Sequence, residues 1–118
     1  MGRMKSDRLF DKMETWLFRS CLPFWAAHGP DRRYGGFIED LKFDGADAAR
    51  DFKRVRVTCR QIYAFSHAKM LGWEDGAALI SDGADFLVTR AWMPGKEAFA
   101  RRLTRAGDEL DDTIDLYE

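Results

Sequence analysis

The sequence predicts an all-α fold, antiparallel helical hairpins joined by short β-hairpin connections, and three observations lead there. Apolar residues recur at helical spacing in three segments. Stretches dense in Gly, Pro and Asp separate those segments. Between helices, a triplet at i, i+4 and i+8 occurs twice with a period of 62: Phe37, Leu41 and Gly45 return as Phe99, Leu103 and Gly107. Helical repeat proteins bury their faces by stacking such units on their neighbours.

The first helix is predicted over about Ser6 to Ala26. Leu9, Met13, Trp16, Leu17, Cys21 and Phe24 form one stripe and Phe10, Phe18 and Trp25 a second beside it, so this helix has to touch more than one neighbour. The cluster of Trp16, Phe18, Phe24 and Trp25 follows that periodicity and reads as core. Pro23 is placed to bend or stop the last turn. His28 to Gly36 is a loop, and its Gly35-Gly36 pair lacks the spacing of a phosphate cradle. Phe37 to Gly45 reads as a short strand ending in a turn, because Phe37, Glu39, Leu41 and Phe43 share one parity and Asp44-Gly45 is a tight-turn signal. The same alternation sends Glu39 and Asp40 to opposite faces, which rules against a shared acid/base pair. A second helix runs from about Phe52 to Leu71, capped by Asp51 and stopped by Gly72. A third runs from about Asp75 to Arg90, interrupted by Gly83, before Trp92-Met93-Pro94-Gly95 breaks the pattern. Asp111 to Glu118 has the acidic first turn of another helix, which either frays in water or belongs to a longer helical array.

Composition narrows the function. At 118 residues, 46% hydrophobic and 33% charged, the chain reads as a single helical domain over 1–118, with too much apolar material for a disordered segment. Nineteen basic against twenty acidic side chains leave no basic excess for a nucleic-acid backbone, so no nucleic-acid partner is expected. No apolar run approaches the roughly 18 residues that span a bilayer, and the N-terminal stretch is broken by Asp11, Lys12 and Glu14, unlike a signal peptide. Cys21 and Cys59 lie in apolar helical patterns without a C-x-x-C or a paired His, so neither a metal site nor a disulfide is expected, and a cytoplasmic location fits.

The second helix carries the informative constellation. Lys53, Arg56, Arg60, Tyr63 and His67 form a cationic, hydrogen-bonding stripe, with Val55, Val57, Cys59, Ile62, Phe65, Ala68 and Leu71 opposite. That stripe is either a solvated polar face or the lining of a polar cleft, where a guanidinium fork holds sugar hydroxyls or stabilises an oxyanion. Arg60-Gln61 beside Tyr63 suits carbohydrate, since planar donors and an aromatic face match a polyol with one apolar side. His67 and His28 read as surface or capping residues.

The pieces also stand in a telling order: Leu22-Pro23-Phe24-Trp25, then Gly35-Gly36-Phe37 with Glu39 and Leu41, then Asp44-Gly45, then Lys53-Arg54-Val55-Arg56-Val57-Thr58-Cys59-Arg60-Gln61-Ile62-Tyr63-Ala64-Phe65. This resembles the start of the N-acylglucosamine 2-epimerase family, particularly its mannose isomerase and mannose-6-phosphate isomerase-like branch. The resemblance implies the N-terminal part of an α/α toroid, a ring of helical hairpins around a sugar-binding cleft. It implies proton transfer next to a sugar carbonyl, with a small-molecule sugar as partner and no metal or organic cofactor. The family's catalytic histidines lie in later parts of the ring, and neither His28 nor His67 falls on them, so the resemblance places no catalytic residue here. Arg60 matches the motif arginine that faces the cleft and binds substrate oxygens; Arg56 and Tyr63 accompany it as substrate-binding candidates. Arg56 stands where other branches carry tryptophan. The second copy of the hairpin motif, Ala98-Phe99 to Ala106-Gly107, lacks the family's double glycine and aspartate. Family members are several times longer, so the chain by itself is expected to be inactive, with an apolar edge through which it self-associates. The alternative from another class is a helical module that binds a sugar or a protein and catalyses nothing.

Overall fold

The computed structural model describes residues 4–114. Helix α1 (Lys5–Trp16) passes through a wider π-type turn (Leu17–Cys21) into α2 (Leu22–His28). The predicted first helix is therefore longer at both ends. Pro23 does not stop it, because it directly follows the π-type turn, where the regular α-helical hydrogen-bond ladder is already interrupted. After a long loop come β1 (Phe52–Arg54) and α3 (Val55–Met70); Gly72, at φ 103°, closes the helix as expected. A short 3₁₀ turn (Glu74–Gly76) leads into α4 (Ala77–Phe86) and a second π-type turn (Leu87–Ala91). Strands β2 (Trp92–Met93), β3 (Ala98–Phe99), β4 (Arg102–Thr104) and β5 (Glu109–Asp111) follow. One antiparallel sheet has the order β1-β4-β5 and a second pairs β2 with β3. The fold is thus mostly helical with short strands rather than all-α.

Several sequence expectations need correction. Phe37 to Phe43 is not a strand; it forms isolated bridges, Pro30 with Phe37 and Leu41 with Asp47, because no neighbouring strand extends the ladder. Of the four residues that share that parity, Phe37 and Glu39 are buried and Leu41 is half-buried, whereas Phe43 is exposed. Asp51 does not cap α3, which starts three residues later than predicted with Arg54 at the cap position; the residues between are held as β1. The helix after Gly76 runs straight through Gly83, which is buried against Ile62 of α3. Trp16 is 60% exposed, and α1 has no buried residue at all. Asp111 ends β5 instead of opening a helix, and the remainder of that predicted helix, from residue 115, lies outside the described residues.

The 62-residue repeat is real, and hydrogen bonds show it. Lys42 N–H donates to Ala46 and Gly45 N–H to Lys42; in the second copy Thr104 N–H donates to Asp108 and Gly107 N–H to Thr104. The bridge Leu41–Asp47 returns as the pair Leu103–Glu109, and Pro30–Phe37 as Trp92–Phe99. Both turns need a left-handed residue, Gly45 at φ 90° and Gly107 at φ 97°. The copies differ in what lies beneath. A Cβ at Gly45 would come within 2.7 Å of the His28 ring, which Phe24 packs against, but the nearest atoms to one at Gly107 belong to the flexible Arg90 side chain, at 3.3 Å. Gly107→Ala is therefore expected to cost about 1–2 kcal/mol from left-handed strain alone. Gly45→Ala should cost about 1 kcal/mol more by overpacking. Urea midpoints of the two variants check this, and equal losses would refute it.

Two apolar clusters form the core. Leu22, Phe37, Phe65, Ala68 and Trp73 bring α2, the first loop and α3 together; Val55, Phe86, Ala91, Met93, Ala100 and Leu103 pack under the sheets. The Cα radius of gyration is 16.7 Å, against about 13.5 Å expected for a compact chain of this length. The excess reflects the first helix, whose Leu9, Phe10, Met13 and Trp16 remain exposed. Among the described residues no helix is long and apolar enough to cross a membrane. Cys21 and Cys59 form no disulfide.

Candidate functional site

The site is built along α3. Val57, Arg60, Gln61, Ala64 and Phe65 on this helix face Leu17, Cys21, Leu22 and Trp25 of the first one across a concavity of about 350 Å³. Helical spacing puts Val57, Arg60, Gln61 and Ala64 on one side, so an apolar floor and two planar polar groups share the same surface. Phe65 is held edge-tight beneath it, its ring stacked between Phe37 at 6.0 Å and Trp73 at 5.8 Å. Arg60 itself is exposed and stands at the rim.

Arg56 lies one turn before Arg60, about 6 Å along the axis at the α-helical rise, and is half-buried. It lines a separate cavity of about 160 Å³ together with Arg54, Arg101 and Arg102. Tyr63 is 70% exposed, lines neither concavity, and meets His67 edge-on at 5.8 Å. Of the three substrate-binding candidates, Arg60 and Arg56 therefore border concave surfaces and Tyr63 does not.

Lys53 leaves the predicted stripe entirely. It sits on β1, not on the helix, and is 1% exposed. Its ammonium donates to the Gly35 carbonyl at 2.5 Å, pairs with Asp31 at 2.9 Å, and lies 5.0 Å above the Phe86 ring. Asp31 also accepts from the backbone N–H groups of Arg33 and Tyr34 and from Arg105, whose other arm reaches Asp47 at 2.5 Å. Burial alone would raise the Asp31 carboxyl, but the hydrogen bonds from Lys53 and Tyr34 and the lysine charge outweigh it and hold the group below the usual carboxylate range. This network joins the first loop, β1 and the second hairpin turn, and so fixes the start of α3.

Glu39 and Asp40 diverge. Glu39 is buried and accepts from the backbone N–H and the Nε of Arg54, whereas Asp40 pairs with Arg50 at 2.7 Å. Arg101 and Arg102 carry no helical or motif spacing in the sequence; the β1–β4 pairing, which sets Arg102 opposite Arg54, brings them to Arg56. The adjacent pair Arg101-Arg102 in the second repeat copy was the one signal that could have pointed there.

Comparison with known proteins follows the same outline. Over 108 residues, 90% of the chain, the sequence is 35% identical to a mannose-6-phosphate isomerase of Rhizobium meliloti (strain 1021). The fold is similar to that of cellobiose 2-epimerase from Spirochaeta thermophila DSM 6192, with a TM-score of 0.79, 20% identity and 89% of the chain covered. Cellobiose 2-epimerase from Bacillus thermoamylovorans B4167 superposes with a TM-score of 0.77 at 22% identity over 89% of the chain, and a D-mannose isomerase with 0.71 at 20% over 80%. The chain spans 27% of the curated relative and 26%, 27% and 24% of these three structures, all of them larger proteins. Its helices and hairpins match that part of their fold. Residues 36–118 match the model of the N-acylglucosamine 2-epimerase (GlcNAc 2-epimerase) family, and the chain belongs to it.

Proposed function

We propose that this chain supplies one wall of the sugar cleft of an aldose–ketose isomerase or 2-epimerase, with Arg60 and Arg56 binding sugar oxygens and Tyr63 at the outer margin. The observation that supports it best is the placement of Arg60 and Gln61 beside the apolar surface of Trp25, Leu22 and Phe65. A sugar has polar edges and apolar faces, and a planar donor next to an apolar floor matches both. The 35% relative is a mannose-6-phosphate isomerase, which makes hexoses the first substrates to try.

In this reading the chain binds but does not turn over. Proton transfer next to a carbonyl needs an acid/base group within hydrogen-bond reach of that carbon, and the described residues put no His, Asp or Glu on the Arg60 concavity. Arg60 would steady negative charge on the substrate oxygen, while the base comes from elsewhere in a complete ring. Calorimetry of the 118-residue chain should show mannose binding that falls about tenfold or more in Arg60→Ala, the loss of one charge-assisted hydrogen bond. Assays of mannose to fructose, and of N-acetylglucosamine to N-acetylmannosamine, should show no conversion. Turnover abolished by Arg60→Ala would defeat the claim of inactivity. Unchanged affinity in that variant would defeat the role of Arg60.

A further inference from the structure

Helix α1 buries no residue of its own, yet its sequence is patterned on three sides. Ser6, Leu9, Met13 and Trp16 follow the i, i+3, i+7, i+10 spacing of a helical seam, with Phe10 beside it. Lys5 and Lys12, seven apart, border that seam on one margin. Asp7 and Glu14, also seven apart, border it on the other, each two positions after a lysine.

The apolar face is large. More than half of each of Leu9, Phe10, Met13 and Trp16 is exposed, and so is Leu71, which shares a shallow concavity of about 590 Å³ with Phe10, Met13 and Trp16. At roughly 200 Å² for a large side chain, the exposed part of these five comes to on the order of 600 Å². A monomer keeps contiguous apolar patches to a few hundred Å². A stable pair buries about 800 Å² on each partner, and the aliphatic stems of the bordering lysines supply the difference.

We propose that α1 pairs with α1 of a second copy of this chain, the two helices running parallel about a two-fold axis between them. The charges select both the partner and the direction. In a parallel pair the axis runs along the helices, so the lysine margin of each copy meets the acidic margin of the other. Lys5 then stands near Asp7 of the second copy and Lys12 near its Glu14, each offset by about 3 Å along the axis at the helical rise. An antiparallel pair would set lysine against lysine and acid against acid. A membrane surface fits less well, because anionic headgroups would meet Asp7 and Glu14 along one whole margin. The pairing is independent of the sugar reading of Arg60.

The test is sedimentation equilibrium of the 118-residue chain across the micromolar range, with circular dichroism to follow the fold. No α1 residue belongs to either core cluster, so substitutions on its exposed face probe pairing and leave the fold in place. Wild type should show a monomer–dimer equilibrium, and its melting temperature should rise with protein concentration. Met13→Glu should weaken the dimer about thirtyfold or more, as loss of a central contact does. Lys5→Glu with Lys12→Glu should weaken it about tenfold by setting acid against acid, and adding Asp7→Lys and Glu14→Lys should return most of that affinity. Direction is read from Ser6→Cys in a Cys21→Ser, Cys59→Ser background. Mild oxidation should cross-link position 6 to its counterpart, whereas an antiparallel pair centred on Met13 would hold the two about 20 Å apart. A monomer at every concentration would overturn the proposal and leave the face to a different polypeptide. Open-ended aggregation in place of a dimer would overturn it too, as would a dimer indifferent to Met13→Glu. A dimer that resists cross-linking at position 6, or that the exchange of margins does not rescue, would overturn the parallel arrangement.

Discussion

Asp31→Asn is expected to remove about 3–5 kcal/mol of folding stability, because it strands the Lys53 ammonium in the interior without its counterion. Natural domains are stable by about 5–15 kcal/mol, so this one substitution should bring the chain close to unfolding at ambient temperature. The amide of Asn keeps the shape but cannot answer four donors as the carboxylate does: the N–H groups of Arg33 and Tyr34, the Lys53 ammonium and the Arg105 guanidinium. Adding Lys53→Met should return a large part of the loss, since an apolar chain of similar length suits the space above the Phe86 ring. Urea unfolding of the two singles and the double measures the coupling directly. A loss under about 1 kcal/mol for Asp31→Asn would mean that water reaches Lys53, and the buried pair would have to be abandoned.

The same network sets a pH dependence. The Asp31 carboxyl titrates lower in the folded chain than in the unfolded one, so its contribution is complete above about pH 4 and disappears as pH falls through the folded value. Burial pushes the Lys53 ammonium down, only partly opposed by the Asp31 hydrogen bond and charge. The folded chain thus releases that proton at lower pH than the unfolded chain does, and this group alone adds stability as pH climbs toward about 10. The acid limb of the stability profile should therefore flatten in the Asp31→Asn, Lys53→Met double variant.

Phe65→Ala should cost about 3–5 kcal/mol, the range for deleting a buried phenyl ring. Phe65 is 1% exposed and stacks between Phe37 and Trp73, so its removal uncouples the first loop from the turn after α3. It also floors the concavity at whose rim Arg60 stands, so the variant should weaken mannose binding as well as stability. Phe65→Leu, which refills most of the volume, should recover more than half of the stability. Denaturant midpoints and calorimetry on the same samples separate the two effects. If Phe65→Ala unfolds at the wild-type midpoint, the central stack is not what joins these elements.

What sequence spacing could settle was local. Three helical segments, the stop at Gly72, the loop between His28 and Gly36, and the 62-residue repeat all follow from contacts between residues a few positions apart, and each is present in the fold. The motif order around Arg60 was equally legible, because a family motif is itself a short linear pattern. Periodicity misread Lys53, since the two residues on either side of a strand-to-helix junction obey different repeats and nothing local marks where one ends. It could not see that Trp16 stays open, because burial depends on which other surface arrives, not on the stripe a helix carries. Nor could it pair Arg54 with Arg102, 48 positions apart: strand register is set by long-range pairing, and the arginine cluster exists only once β1 and β4 have met.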